Sequence, residues 1–169
     1  LETELRFLKL LPSGPDLVGA EIELVTRDQR ERCLASVIKP LRDSFEFILI
    51  DCPPSLGLLA LNALTAADAL LIPLQCEYFA LEGLTALLNT IKAVRQRLNP
   101  ELDVEGLLRT MYDVRNNLGN EVSAQLLKHF GDKVFRTIIP RNVRLAEAPS
   151  FGKPVLYHDK ESRGALAYL

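Results

Sequence analysis

The 169-residue sequence has only three cysteines, two histidines and one methionine, and none of these scarce residues clusters. Cys33, Cys52 and Cys76 form no C-x-x-C pair and no Cys/His group. That argues against a zinc site or a disulfide scaffold and fits a reducing cytosol. His129 and His158 have no nucleophile nearby, and neither Ser55 nor Ser150 lies in G-x-S-x-G, so acyl-transfer chemistry has little support. The nine glycines are scattered. No G-x-x-x-x-G-K-[ST] and no G-x-G-x-x-G occurs, so this stretch cannot cradle phosphates in the P-loop manner. Long hydrophobic runs are scarce as well. Residues 55–74 come nearest, but Asn62, Asp68 and Pro73 argue against a membrane span, and a buried helix followed by a buried strand explains them better. An excess of one charge is also lacking: 20 Lys and Arg against 22 Asp and Glu give a net −2 and a pI of about 5.8. Any nucleic-acid contact must then come from a local patch. The acidic opening Leu1-Glu2-Thr3-Glu4 is not a signal peptide. With no initiating methionine and a helix opening at 161–169, the expectation is a fragment of a longer protein.

What is present reads as one globular domain over 1–169, with 48% apolar and 25% charged residues. Residues 6–12 read as a strand closed by Pro12, Ser13, Gly14 and Pro15. Residues 16–25 suit a short helix with Leu17, Ile22 and Val25 inward. Residues 27–41 suit an amphipathic helix whose apolar face holds Cys33, Leu34, Val37 and Ile38. The run Phe45 to Ile50 is almost wholly apolar, as in a strand buried on both faces of a parallel sheet. A helix over 55–66 and a second buried strand over 69–74 follow, with Pro73 marking an edge or an end. The clearest helix spans 80–98, with Leu81, Leu84, Leu87, Leu88, Ile91, Val94 and Leu98 at helical spacing. Residues 104–112 and 134–139 read as strands and 121–130 as a helix capped by Gly131. The alternation implies an α/β fold: a mostly parallel sheet with helices on both faces. Ligands of such sheets lie beyond the carboxyl ends of the strands. That rule singles out 51–55, 75–79, 112–117 and 140–144.

Asp51 ends an apolar run. A carboxylate there could hold Mg²⁺ directly or through water, or could simply cap the next turn. Pro53-Pro54 fixes a rigid turn where a phosphate-sensing loop would lie. Beyond the last strand, Pro140 and the Asn142 amide could read an adenine edge, or Asn142 could be the cap of a helix. Residues 109–153 carry a net +4 and the remainder −6. The cationic segment, with Arg115, Arg141 and Arg144 at the ligand end, could contact nucleic-acid phosphates or be an ordinary solvated surface.

Four blocks closely resemble the ParA/Soj family of chromosome-partitioning ATPases: Phe47-Ile48-Leu49-Ile50-Asp51-Cys52-Pro53-Pro54-Ser55, residues 71–84 (LIPLQCEYFALEGL), Thr110-Met111-Tyr112-Asp113, and residues 138–150 (IIPRNVRLAEAPS). Gly19-Ala20-Glu21-Ile22-Glu23-Leu24 matches as well. The resemblance implies an incomplete P-loop NTPase-like domain, the C-terminal portion of an ATPase. Its phosphate loop, signature lysine, Mg²⁺-binding Thr and switch I aspartate would precede Leu1. It further implies that Asp51 is the switch II aspartate acting on Mg²⁺ through water, with Cys52, Pro53, Pro54 and Ser55 completing that switch. By the same resemblance Pro140 and Asn142 belong to the adenine-side loop and Arg115 and Arg144 contact DNA. The parent would bind ATP and Mg²⁺, form a homodimer, bind DNA without sequence preference and answer to a ParB/Spo0J-type partner. It would be cytoplasmic and nucleoid-associated, with no membrane partner. A MinD-like septum-site regulator, a non-catalytic DNA-binding or dimerisation module, and a nitrogenase-iron-protein-like redox ATPase are the alternatives. The last needs cluster-bridging cysteines that nothing in the sequence matches strongly.

Overall fold

The computed structural model describes residues 1–53, 55 and 57–169, with Val18 by its backbone alone. The chain divides into two compact units, Leu1–Ala67 and Asp68–Leu169.

In the first unit, α1 (Leu17–Leu24), α2 (Cys33–Ile38) and α3 (Leu58–Ala66) are joined by 3₁₀ turns at Arg30–Arg32 and Lys39–Ser44. Helix α3 is the centre of this unit. Ala60, Ala63, Leu64 and Ala66 are buried on it, and so is the polar Asn62. Burying an amide is costly unless its donors and acceptor are met, and here they are. Asn62 Oδ1 accepts from Leu34 N at 3.1 Å, and Nδ2 donates to Arg30 O at 2.8 Å and Leu58 O at 3.0 Å. Both helix ends find partners too. Leu59 N–H donates to Glu21 Oε1, and Arg42 Nη2 donates to Ala66 O at 2.9 Å.

Four sequence expectations fail in this unit. Residues 6–12 make no strand; a turn closes on a single antiparallel bridge, Glu2 to Lys9. The helix expected over 27–41 is broken, because Gln29 takes φ 52° and Pro40 opens a 3₁₀ turn. Phe45 to Ile50 forms no ladder, and Phe47 and Leu49 stand 77% and 91% exposed. An apolar run becomes a strand only when another backbone pairs with it, and none among the described residues does. For the same want of a covering surface, Leu17, Ile22 and Val25 are exposed on or beside α1 instead of inward.

The second unit is a three-stranded parallel sheet in the order β1 (Ala69–Gln75), β2 (Asp103–Tyr112), β3 (Val134–Pro140). Parallel neighbours need crossovers, supplied by α4 (Ala80–Arg97) and α5 (Asn117–Phe130). Helix α4 buries Leu84, Ile91 and Val94, the centre of its predicted stripe. Strand β1 is an edge, as Pro73 suggests. It is buried on one face only, through Ile72 and Leu74, while Leu71 is exposed, so the two-sided burial expected of it does not hold. Leu102, Leu107 and Leu126 are the most deeply buried large side chains. Gly131 ends α5 at φ 45°, a conformation that favours glycine. Gly106 is required by contact: a Cβ there would meet the Lys133 carbonyl oxygen at 2.9 Å and the Phe135 ring at 2.6 Å.

After β3 come α6 (Val143–Glu147), α7 (Val155–His158) and α8 (Arg163–Tyr168). Ala148, Val155 and Ala165 form a small core there with Leu145 and Leu156, and α8 packs on β3. No helix among the described residues is long and apolar enough to cross a membrane.

Candidate functional site

The three strands of the second unit are parallel, so their carboxyl ends meet along one rim. Gln75 ends β1, Tyr112 ends β2 and Arg141 follows β3. At that rim an open pocket of ≈ 240 Å³ is lined by Gln75, Cys76 and Glu77, by Met111, Tyr112 and Asp113, by Asn116 and Gly119 at the start of α5, and by Arg141.

Backbone geometry fixes these walls. Tyr112 pairs with Pro140 in the ladder, and Arg141 N–H donates to Tyr112 O at 3.0 Å. The Tyr112 hydroxyl donates to Asn120 Oδ1 at 2.7 Å, and Asn120 Nδ2 donates to Val114 O at 3.0 Å, closing the loop onto α5. Asn116 caps that helix by accepting from Gly119 N. Within the wall after β1, Gln75 Nε2 donates to Glu77 Oε1. Met111 sits at φ 49°. A non-glycine residue there stores strain, and strain of that kind collects at ligand sites.

Two of the arginines around the rim, Arg115 and Arg144, are ion-paired. The Arg115 fork donates from Nε and Nη2 to the two Asp113 oxygens at 2.9 and 2.7 Å, and Arg115 N adds a bond to Oδ1 at 3.0 Å. Those bonds, with the guanidinium charge, hold the Asp113 carboxyl well below the usual carboxylate range and raise Arg115. Arg144 donates from Nη1 to Glu147 Oε2 at 2.8 Å and lies 3.3 Å from Asp159 Oδ2, and both acids raise it. His158 stacks on Phe151 and approaches Glu147 at 3.8 Å. Burial pushes the Cys76 thiol up, against a small opposing pull from the Arg109 charge.

A depressed carboxyl favours the folded chain above the unfolded Asp value near ~3.9, and that contribution fades as pH falls below it. Carbonyl ¹³C NMR should find Asp113 still ionised where an ordinary Asp is half protonated. Arg115→Ala should return its midpoint toward ~3.9; an unchanged midpoint in that variant would show that the fork is not the cause.

The residues expected from sequence fall into two sets. Pro140, Asn142, Arg115 and Arg144 all lie on this side of the sheet: Pro140 ends β3, Asn142 and Arg144 open α6 just after it, and Arg115 is on the loop after β2. Asn142 is a helix cap, its Oδ1 accepting from Arg144 N at 3.0 Å. Asp51, Cys52, Pro53 and Ser55 belong to the first unit and are exposed. Cys52 Sγ–H points to Ile50 O at 3.7 Å, and its thiol is raised by burial and by the Asp51 charge. Pro54 lies outside the described residues. Among the described residues no group of three or more His, Cys, Asp or Glu could hold a metal by itself.

Most of the pocket falls in loops that the strand-end rule singled out, with Met111 and Gly119 just beyond them. Sequence reasoning missed Arg109. It is buried on β2, donating from Nη1 to Ser123 Oγ at 2.9 Å and from Nη2 to Phe135 O at 3.0 Å. The available signal was a charged residue inside the apolar run Leu107-Leu108-Arg109.

Comparison with known proteins places these features in a group. The model of a family described as an AAA domain, AAA_31, matches residues 1–104. The chain is 55% identical over 167 residues to the chromosome partitioning protein ParA of Myxococcus xanthus, covering 99% of this chain and 59% of that one. It is 53% identical over 167 residues to the sporulation initiation inhibitor protein Soj of Bacillus subtilis, covering 99% and 66%. Among solved structures, the Mycobacterium smegmatis protein titled cobyrinic acid a,c-diamide synthase, with bound ADP and magnesium, superposes with a TM-score of 0.76 at 38% identity, over 94% of this chain and 57% of that one. The chain thus spans about three fifths of the length of the curated relatives it matches.

Proposed function

The chain belongs to the ParA/Soj family of partitioning ATPases, with an AAA_31 domain, and from that premise we propose that it serves ATP-dependent DNA partitioning. The pocket at the strand ends takes the adenine end of ATP, and the cationic loops beside it meet DNA. The observation that carries this reading is the juxtaposition at one rim of a polar pocket, Pro140, Asn142 and the arginines Arg115, Arg141 and Arg144.

The donor set fits a purine edge. Side-chain amides from Gln75 and Asn116, the carboxylates of Glu77 and Asp113 and the Arg141 guanidinium offer donors and acceptors on facing walls. Pro140 fixes the turn that carries Asn142 beside them. The phosphates need groups that this sequence does not contain, since it has no Gly-rich Lys loop. ATP with Mg²⁺ supplies the transferable phosphoryl group and the charge neutralisation for its transfer. The chain's contribution to the metal is Asp51, an exposed carboxylate suited to acting through water, with Cys52, Pro53, Pro54 and Ser55 completing the switch after it in sequence. Arg115 and Arg144 reach phosphate oxygens of DNA without reading sequence. Homodimer formation with ATP, a ParB/Spo0J-type partner and a nucleoid-associated, cytoplasmic location complete the proposal.

Phosphate release tests it. The 169-residue chain should give no ATP turnover above background. A chain extended to its relatives' length and carrying this sequence should hydrolyse ATP. Equal turnover by both, or none by the extended chain, would overturn the reading.

A further inference from the structure

The ladder between β2 and β3 is irregular in a way that one side chain repairs. The register pairs Leu107 with Val134, Arg109 with Ile138 and Tyr112 with Pro140. From the first pair to the second, β2 advances two residues while β3 advances four. From the second to the third, β2 advances three while β3 advances two. Strand β3 therefore bulges around Phe135 to Thr137, and β2 answers with a smaller irregularity that contains Met111 at φ 49°.

A bulge takes backbone groups out of the ladder, and those groups need other partners. Arg109 provides them. Its Nη2 lies 3.0 Å from Phe135 O and 3.5 Å from Arg136 O, and its Nη1 donates to Ser123 Oγ on α5 at 2.9 Å. One guanidinium thus joins the central strand to the bulged edge strand and to the crossover helix. The residue is 94% buried, its Nε has no hydrogen-bond partner, and its side-chain hydrogen bonds go to neutral oxygens. An unpaired buried cation is an expensive way to fill a core, and an apolar residue of similar volume is often as stable or more so. Something other than packing accounts for it.

The bulge lies directly before the pocket. Past it, Ile138 pairs with Arg109 and, after the smaller irregularity in β2, Pro140 pairs with Tyr112, and the Arg141 amide bonds to Tyr112 O. Without a fixed bulge, β3 could slide and carry Arg141 away from the opposite wall. We propose that Arg109 is a positioning residue: it pins the β3 bulge and so sets where Tyr112 and Arg141 stand in the pocket. The consequence for a nucleotide rests on the reading given above; the consequence for the strand register does not.

Amide hydrogen exchange on the 169-residue chain separates the two. Arg109→Met keeps the bulk and removes the donors; Arg109→Lys keeps the charge but gathers its donors on one nitrogen in place of the fork that reaches Ser123 from Nη1 and Phe135 from Nη2. In Arg109→Met the amides of Arg141 and Ile139 should exchange at least about tenfold faster, while those of α4, such as Val94, stay within about twofold. Arg109→Lys should fall between this variant and the wild type. Uniform acceleration of both sets would mean that Arg109 is only a stability residue, and no change at Arg141 would mean that it pins nothing; either overturns the proposal. Should Arg109→Met fail to fold, the same comparison is decided on Arg109→Lys, with selective acceleration at Arg141 expected. Titration of the same proteins with a fluorescent adenine nucleotide addresses the pocket. Faster exchange at Arg141 with unchanged nucleotide affinity supports the positioning role and counts against the purine reading.

Discussion

Asp51→Ala, in a chain of its relatives' length, is expected to lower ATP turnover by about two to three orders of magnitude while ATP affinity falls by less than about threefold. Asp51 follows an apolar run that forms no ladder and precedes Cys52 and Pro53, in an exposed segment. A carboxylate there contributes one charge, felt through water in the metal's hydration shell. Such a group matters most when charge develops on the transferring phosphoryl group. The base and the remaining phosphate contacts are untouched, so ground-state binding is largely retained. Asp51→Asn keeps the shape and should be nearly as inactive, since the lost element is charge. Phosphate release gives kcat and an equilibrium titration gives Kd. Wild-type turnover in either variant would remove Asp51 from the proposal, and a matching loss of affinity would make it a binding residue instead.

The second large effect concerns DNA. Replacing Arg115 and Arg144 together by alanine, in the same extended chain, should weaken DNA binding strongly and leave hydrolysis without DNA nearly intact. Each guanidinium is exposed yet already engaged, Arg115 with Asp113 and Arg144 with Glu147 and Asp159. Exposed pairs of this kind are worth little in water, so DNA phosphates can take the place of the carboxylates. A dimer presents each arginine twice, so the double variant removes about four phosphate contacts. The plot of log affinity against log salt should be shallower by about 3 to 4. Since neither arginine reads a base edge, the loss should be the same on unrelated sequences. The competing view is that these arginines only shape the loops beside Tyr112 and Pro140. It predicts lost ATP affinity along with lost DNA binding. Titrations across several salt concentrations, run beside an ATP-binding assay, distinguish the two; unchanged DNA affinity in the double variant would end the DNA-contact proposal.

The second unit was legible in the sequence because its signals are local. Helix α4 announces itself by apolar spacing, and β1, β2 and β3 by apolar runs bounded by breakers. Helix α5 begins at Asn117 and not at 121 because the Asn116 cap and an adjoining turn of weak periodicity precede its apolar stripe. The first unit was less legible. Phe45 to Ile50 has every mark of a strand except a partner, and pairing is not written in the run itself. Residues 27–41 carry a helical pattern, but the left-handed Gln29 and Pro40 divide it.

The site shows the same division. The rule that ligands gather at strand ends led to Gln75, Tyr112 and Arg141, because it needs only the strands and their direction. Arg109 and Met111 were hidden because their meaning lies in a register between strands more than twenty residues apart. The positive φ of Met111 and the partners of Arg109 exist only once β2 and β3 are paired.

In the proposed function the pocket at the strand ends holds the adenine end of ATP. This is tested most directly by following backbone amide shifts while ATP and Mg²⁺ are titrated into a chain of its relatives' length. Saturable shifts should include Cys76, Tyr112, Gly119 and Arg141, with adenosine alone, at higher concentration, moving the same amides. Saturable binding that leaves those four amides unmoved would contradict it.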